Sequence, residues 1–85
     1  MEQTTFATWG TCSKFINFEL DENHCVHNVH FIGGCPGNTL GLSRMVEGMK
    51  AEEIINRLKG IKCGSKPTSC PDQLSQALEK KLSEL

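Results

Sequence analysis

Apolar and polar residues alternate along Lys14-Phe15-Ile16-Asn17-Phe18-Glu19-Leu20, which sets Ile16, Phe18 and Leu20 on one face of an extended segment. Before it, Thr4-Thr5-Phe6-Ala7-Thr8 is rich in β-forming residues and closed by Gly10, so a first strand is expected there. Asp21-Glu22-Asn23 is polar and turn-like, and a second β-rich run from Cys25 to Ile32 follows it. The pair predicts a hairpin whose return strand ends at Gly33-Gly34.

Beyond Gly34 the apolar spacing becomes helical. Leu42, Met45, Val46 and Met49 form one stripe, with Asn38 or Thr39 as its cap and Gly48 near its end. Ala51-Glu52-Glu53 opens a second helix, with Ile54, Ile55, Leu58 and Ile61 inward and Gly60 as its stop. A third runs from Pro71, with Leu74, Ala77, Leu78, Leu82 and Leu85 as its stripe and Glu79, Lys80 and Lys81 on the charged side. Such stripes mean core. Three strands followed by three helices give a single α+β domain over residues 1–85, a three-stranded antiparallel sheet with the helices packed on one face.

At 85 residues the core is modest, and domains of this size commonly add a disulfide, a metal or a partner chain. The formal net charge of −1 argues against a nucleic-acid groove, and the absence of tyrosine against a base-stacking platform. No stretch is apolar enough to cross a bilayer, and Met1-Glu2-Gln3-Thr4-Thr5 lacks the basic and apolar regions of a signal peptide. The expectation is a cytoplasmic chain with reduced thiols and no membrane partner. Its five cysteines are an odd number, so complete internal pairing is impossible. Thiols holding a metal are favoured over a disulfide framework.

Four cysteines fall at element ends in turns marked by glycine or proline. Cys12 lies in the Gly10-Thr11-Cys12-Ser13 bend, Cys35 follows Gly33-Gly34, Cys63 stands beside Gly64, and Cys70 precedes Pro71. A turn can aim a short ligand without disturbing a core. Cys35-Pro36 and Cys70-Pro71 each place a cysteine at a helix mouth, where proline suits the first helical position. There the helix dipole favours the thiolate, the form that binds metals or attacks electrophiles. The Gly-Ser-Lys-Pro turn brings Cys63 toward Cys70.

Cys25 stands apart, mid-strand in His24-Cys25-Val26-His27, and reads as a small buried hydrophobe. His24, His27 and His30 recur every third residue where a strand alternates by two, so they cannot share one site and read as solvated strand positions. Asp21-Glu22 reads as a turn and Glu52-Glu53 as a helix start. No Ser-His-Asp set and no paired carboxylates can be assembled. Gly33-Gly34 lacks the lysine or GxGxxG pattern of a phosphate loop.

Thr68-Ser69-Cys70-Pro71-Asp72 spells the signature of the TSCPD domain, and the chain resembles the small stand-alone form of that family over nearly its whole length. The likeness extends to Gly10-Thr11-Cys12-Ser13, Phe31-Ile32-Gly33-Gly34-Cys35, Val46-Glu47-Gly48-Met49 and Leu58-Lys59-Gly60-Ile61-Lys62-Cys63-Gly64. The resemblance implies that Cys12, Cys35, Cys63 and Cys70 are the family's recurring cysteines. Related domains end vitamin B12-dependent ribonucleotide reductases, which implies an accessory role beside a larger reductase. The chain has no room for the barrel of that enzyme, so no catalytic residue is assigned. More distantly it is similar to iron–sulfur scaffolds of the NifU/IscU type, which pair a three-stranded sheet with helices; there Cys12, Cys35 and Cys70 match in order and context. Ser13-Lys14 stands where that pattern has Gly-Asp.

The leading expectation is therefore a metal-binding module with Cys12, Cys35, Cys63 and Cys70 as ligands. Zinc needs only four thiolates in tetrahedral array, and an iron–sulfur cluster uses the same donors. The alternatives are a thiol-redox pair, Cys63 with Cys70, serving a reductase or an iron–sulfur protein, and a folded adaptor with reduced cysteines.

Overall fold

The alternation in the first third becomes a three-stranded antiparallel sheet in a computed structural model of the chain, which describes residues 3–11, 13–33 and 36–85. Strands β1 (Gln3–Ala7), β2 (Ser13–Leu20) and β3 (Val26–Gly33) lie in the order β1-β2-β3. Phe6 pairs with Ile16 and Ile16 with Phe31, so one apolar row crosses all three strands. Ile16 and Phe18 are fully buried, whereas Phe15, on the opposite side of the pleat, is exposed. The β2–β3 register shifts twice, between Ser13 and Phe15 and between Asn17 and Glu19. At the second shift Asn28 takes φ 55°, a left-handed conformation that asparagine tolerates better than most residues.

Three helices follow: α1 (Pro36–Val46), α2 (Ala51–Leu58) and α3 (Cys70–Ser83). Helix α1 packs on β3, α2 on α3, and α3 on β2. The core joins Ile16 and Phe18 of β2, Val26 and Val29 of β3, Val46, Ile54, and Leu74 and Leu78 of α3. Burying each large apolar side chain of this kind contributes about 1.5–3 kcal/mol. The α+β expectation matches this architecture.

The stripe ends do not. Met45, Ile61 and Leu85 are exposed, Met45 to 78%. Helix α1 begins at Pro36, so Asn38 and Thr39 lie inside its first turn instead of capping it. Ile61 and Leu85 lie beyond the ends of α2 and α3, where helical spacing no longer sets the direction of a side chain.

The connection from α1 to α2 doubles as a short cover for the edge of β3. Val26 N–H donates to the Met49 carbonyl at 2.8 Å, and Gly48 N–H donates to the Val26 carbonyl at 2.7 Å. Cys25 bridges Lys50, and Ala51 N–H donates to the His24 carbonyl at 2.8 Å, satisfying one free amide at the start of α2. Cys25 is thus half-buried just ahead of β3, not a buried mid-strand residue.

Candidate functional site

The mouth of α3 is built by the side chains of Thr68-Ser69-Cys70-Pro71-Asp72, and most of them serve the helix itself. Ser69 is the N-cap: its backbone is extended (φ −150°, ψ 170°) and its hydroxyl accepts from Asp72 N–H at 3.1 Å. The same hydroxyl donates to the Ile61 carbonyl at 2.6 Å, which ties the incoming loop to the cap. Cys70 is the first helical residue and Pro71 the second. The expected proline start is therefore displaced by one position, still within the turn where an N–H has no helical partner.

Asp72 is buried with every donor around it accounted for. Its carboxylate accepts from Gly60 N–H at 2.7 Å, from Gln76 Nε2 at 2.9 Å and from the Thr68 hydroxyl. Burial pushes its pKa up, but the Thr68, Gly60 and Gln76 hydrogen bonds and the nearby Lys59 charge outweigh that and hold it below the ordinary carboxylate value. Gln73, fully buried, donates from Nε2 to Thr68 Oγ1 at 3.0 Å and accepts at Oε1 from Trp9 N–H at 3.1 Å. The last bond couples the start of α3 to the β1–β2 turn.

That turn approaches closely. Gly10 has φ +70°, and a Cβ placed on it would meet Thr68 Cγ2 at 2.8 Å. Three residues further on, Ser13 Oγ stands 3.0 Å from Thr11 Oγ1 and 3.4 Å from Cys70 Sγ. Ser13 also pairs across the sheet with Gly33. So the residue after Cys12 touches the Cys70 thiol and faces a residue two before Cys35.

Cys12 and Cys35 themselves lie outside the described residues. Cys25, Cys63 and Cys70 are free thiols. Cys63 is exposed in the loop after α2; its N–H donates to the Thr68 carbonyl at 3.2 Å and its carbonyl accepts from Lys66 N–H at 3.0 Å. The turn thus bonds the Cys63 backbone to Thr68, two residues before Cys70. Among the described residues, no group of three His, Cys, Asp or Glu side chains is placed to hold a metal ion. No helix among them is long and apolar enough to cross a membrane.

The histidines differ from their expected role as solvated strand positions at His24 and His27. His27 Nδ1 lies 2.6 Å from Glu47 Oε2 and Nε2 lies 2.9 Å from Asp21 Oδ2. Asp21 raises the His27 pKa above 6.5 most, then Glu47. Glu47 is lowered by Asn28 N–H and then by His27, and Asp21 chiefly by His27. His24 sits in a left-handed turn (φ 63°), 3.6 Å from Glu52, and His30 is exposed. Asp21, six residues upstream, offered a faint signal for this clamp; Glu47, in the turn after α1, offered none.

A sheet-then-helices α+β domain with a cysteine at the mouth of its last helix defines the class. A sequence model of the TSCPD domain matches residues 1–82, and the chain belongs to that family. No curated protein and no solved structure matches it.

Proposed function

We propose that this domain is a metal-binding module that uses Cys12, Cys35, Cys63 and Cys70, with zinc as the resident ion. The observation that supports this most is the Ser13 contact: its hydroxyl reaches Cys70 Sγ at 3.4 Å while its backbone pairs with Gly33. The described neighbours of Cys12 and Cys35 thereby meet at the mouth of α3. The donor chemistry agrees. Within the signature, Thr68, Ser69 and Asp72 are engaged in capping and Pro71 has no polar side chain, which leaves the Cys70 thiol as the group free for chemistry. Thiolates at a helix N-terminus are soft ligands suited to zinc or an iron–sulfur cluster. Bound, such an ion supplies a cross-link between the sheet turn, the β3–α1 connection and the loop before α3, and its binding energy adds to folding.

The test is metal content and visible spectrum of protein prepared with and without oxygen, alongside serine variants. Each of Cys12→Ser, Cys35→Ser, Cys63→Ser and Cys70→Ser is expected to lower metal content, and Cys25→Ser to retain it. A metal-free wild-type protein under both conditions, or loss of metal on Cys25→Ser, overturns the assignment. A visible thiolate-to-iron absorption would replace zinc with an iron–sulfur cluster on the same residues.

The exposure of Cys63 and its backbone bond to Thr68 favour one second reading, a Cys63–Cys70 dithiol that exchanges electrons with a larger reductase or iron–sulfur protein. It requires a reversible Cys63–Cys70 disulfide in mass spectra of oxidised protein. Failure to form one removes it.

A further inference from the structure

A groove of ≈ 540 Å³ runs between β3 and α1, lined by Asn28 to Phe31 with Leu40 and Arg44 among the residues opposite. Strand β3 is an edge strand. Its first half is covered: Val26 bonds Met49 and Gly48, and Asn28 N–H donates to Glu47 Oε1 at 2.9 Å. Beyond Asn28 the cover stops, and among the described residues no backbone group outside the sheet bonds β3 from Val29 to Gly33. At about 3.3 Å per residue, this open edge spans roughly 17 Å, enough for a short extended strand.

The walls define what such a strand must contain. The half-buried Phe31 and the exposed Leu40 give apolar contact. Arg44 is exposed, and no carboxylate among the described residues forms an ion pair with it. Glu47, at the same groove, is already engaged by His27 and by Asn28 N–H. His30 adds an exposed imidazole to the lining. An unpaired arginine beside an unfilled sheet edge selects an acidic strand with aliphatic side chains. A second copy docking through the same edge would instead place two basic rims in one interface.

We propose that the β3–α1 groove binds an extended acidic segment of a partner protein, which adds to β3 as a fourth strand and sets a carboxylate against Arg44. Backbone pairing supplies the attachment, and Arg44 with the Phe31 and Leu40 surface supplies the selectivity.

The experiment is selection of random short peptides displayed against the full chain, followed by amide chemical-shift mapping of the enriched peptides. Enrichment of β-favouring sequences containing Asp or Glu is expected, with shifts confined to Val29–Gly33 and the facing residues of α1. Arg44→Glu, a change at an exposed position, is expected to weaken acidic peptides about tenfold and turn the preference toward Lys or Arg. No enrichment, shifts located elsewhere, or an acidic preference that survives Arg44→Glu overturns the proposal. Concentration-dependent shifts of the β3 edge in the protein alone would assign the groove to a second copy and overturn it equally.

Discussion

Asp72 is a buried carboxylate held by donors from a loop amide, a hydroxyl and a side-chain amide. Asn at this position would turn an NH₂ group toward at least one of those donors, so Asp72→Asn is expected to cost about 2–3 kcal/mol in urea unfolding. Because the folded pKa lies below 3.8, the ionised form contributes fully above that value, and its contribution is lost as pH falls through the lowered folded value. The acid limb of the stability curve is therefore expected to flatten in Asp72→Asn. His27 behaves in the opposite sense. Its folded pKa lies above 6.5, so its contribution is complete below 6.5 and disappears as pH rises through the raised value. Asp21 and Glu47, lowered from 3.8 and 4.5, lose theirs only as pH falls through their depressed values. Urea midpoints at about pH 6 and about pH 9 are expected to differ more in wild type than in His27→Gln.

Among the elements, the contact between the β1–β2 turn and α3 is the most exacting. Gly10→Ala meets both a left-handed backbone and the Thr68 methyl at 2.8 Å, whereas Gly48→Ala, at φ +80°, meets open space. Gly48→Ala is expected to cost about 1–2 kcal/mol, and Gly10→Ala measurably more by thermal or urea unfolding. Thr68→Ser removes the clashing Cγ2 while keeping the hydroxyl, so the excess cost of Gly10→Ala is expected to shrink in that background. Spacing revealed β2 and the helices, as the burial of Ile16, Phe18, Ile54, Leu74 and Leu78 reflects, and β-forming composition revealed β1 and β3. It misjudged their ends. Met45 keeps helical spacing yet faces outward, and Pro36, not Asn38 or Thr39, opens α1. Ser69-x-x-Asp72 has the form of a capping pair, but the Asp72 carboxylate reaches Gly60 and Thr68 in place of the cap amide. The bond from Trp9 to Gln73 joins positions 64 residues apart, and no local pattern encodes it.

At the scale of the whole molecule, the sheet turn, the last helix and the loop between α2 and α3 meet at one end through Gly10, Ser13, Thr68 and Cys70. The loop position of Cys63 and the helix-mouth position of Cys70 were legible from glycine and proline, while the Ser13 approach to Cys70 depended on tertiary packing. If those thiols hold an ion, its removal by a chelator under reducing conditions is expected to lower the unfolding midpoint of wild type and leave Cys70→Ser unchanged. The loop between α2 and α3 has a further consequence. Its base is laced by Gly60 to Asp72, Ile61 to Ser69 and Cys63 to Thr68, while Gly64, Ser65, Lys66 and Pro67 are all exposed. A guest sequence spliced between Gly64 and Ser65 would hang from a tied neck, and doubling the loop's length costs only about 0.6 kcal/mol in closure entropy. The domain thus offers its own handle for a fluorophore or an affinity tag, one that leaves both chain termini unaltered.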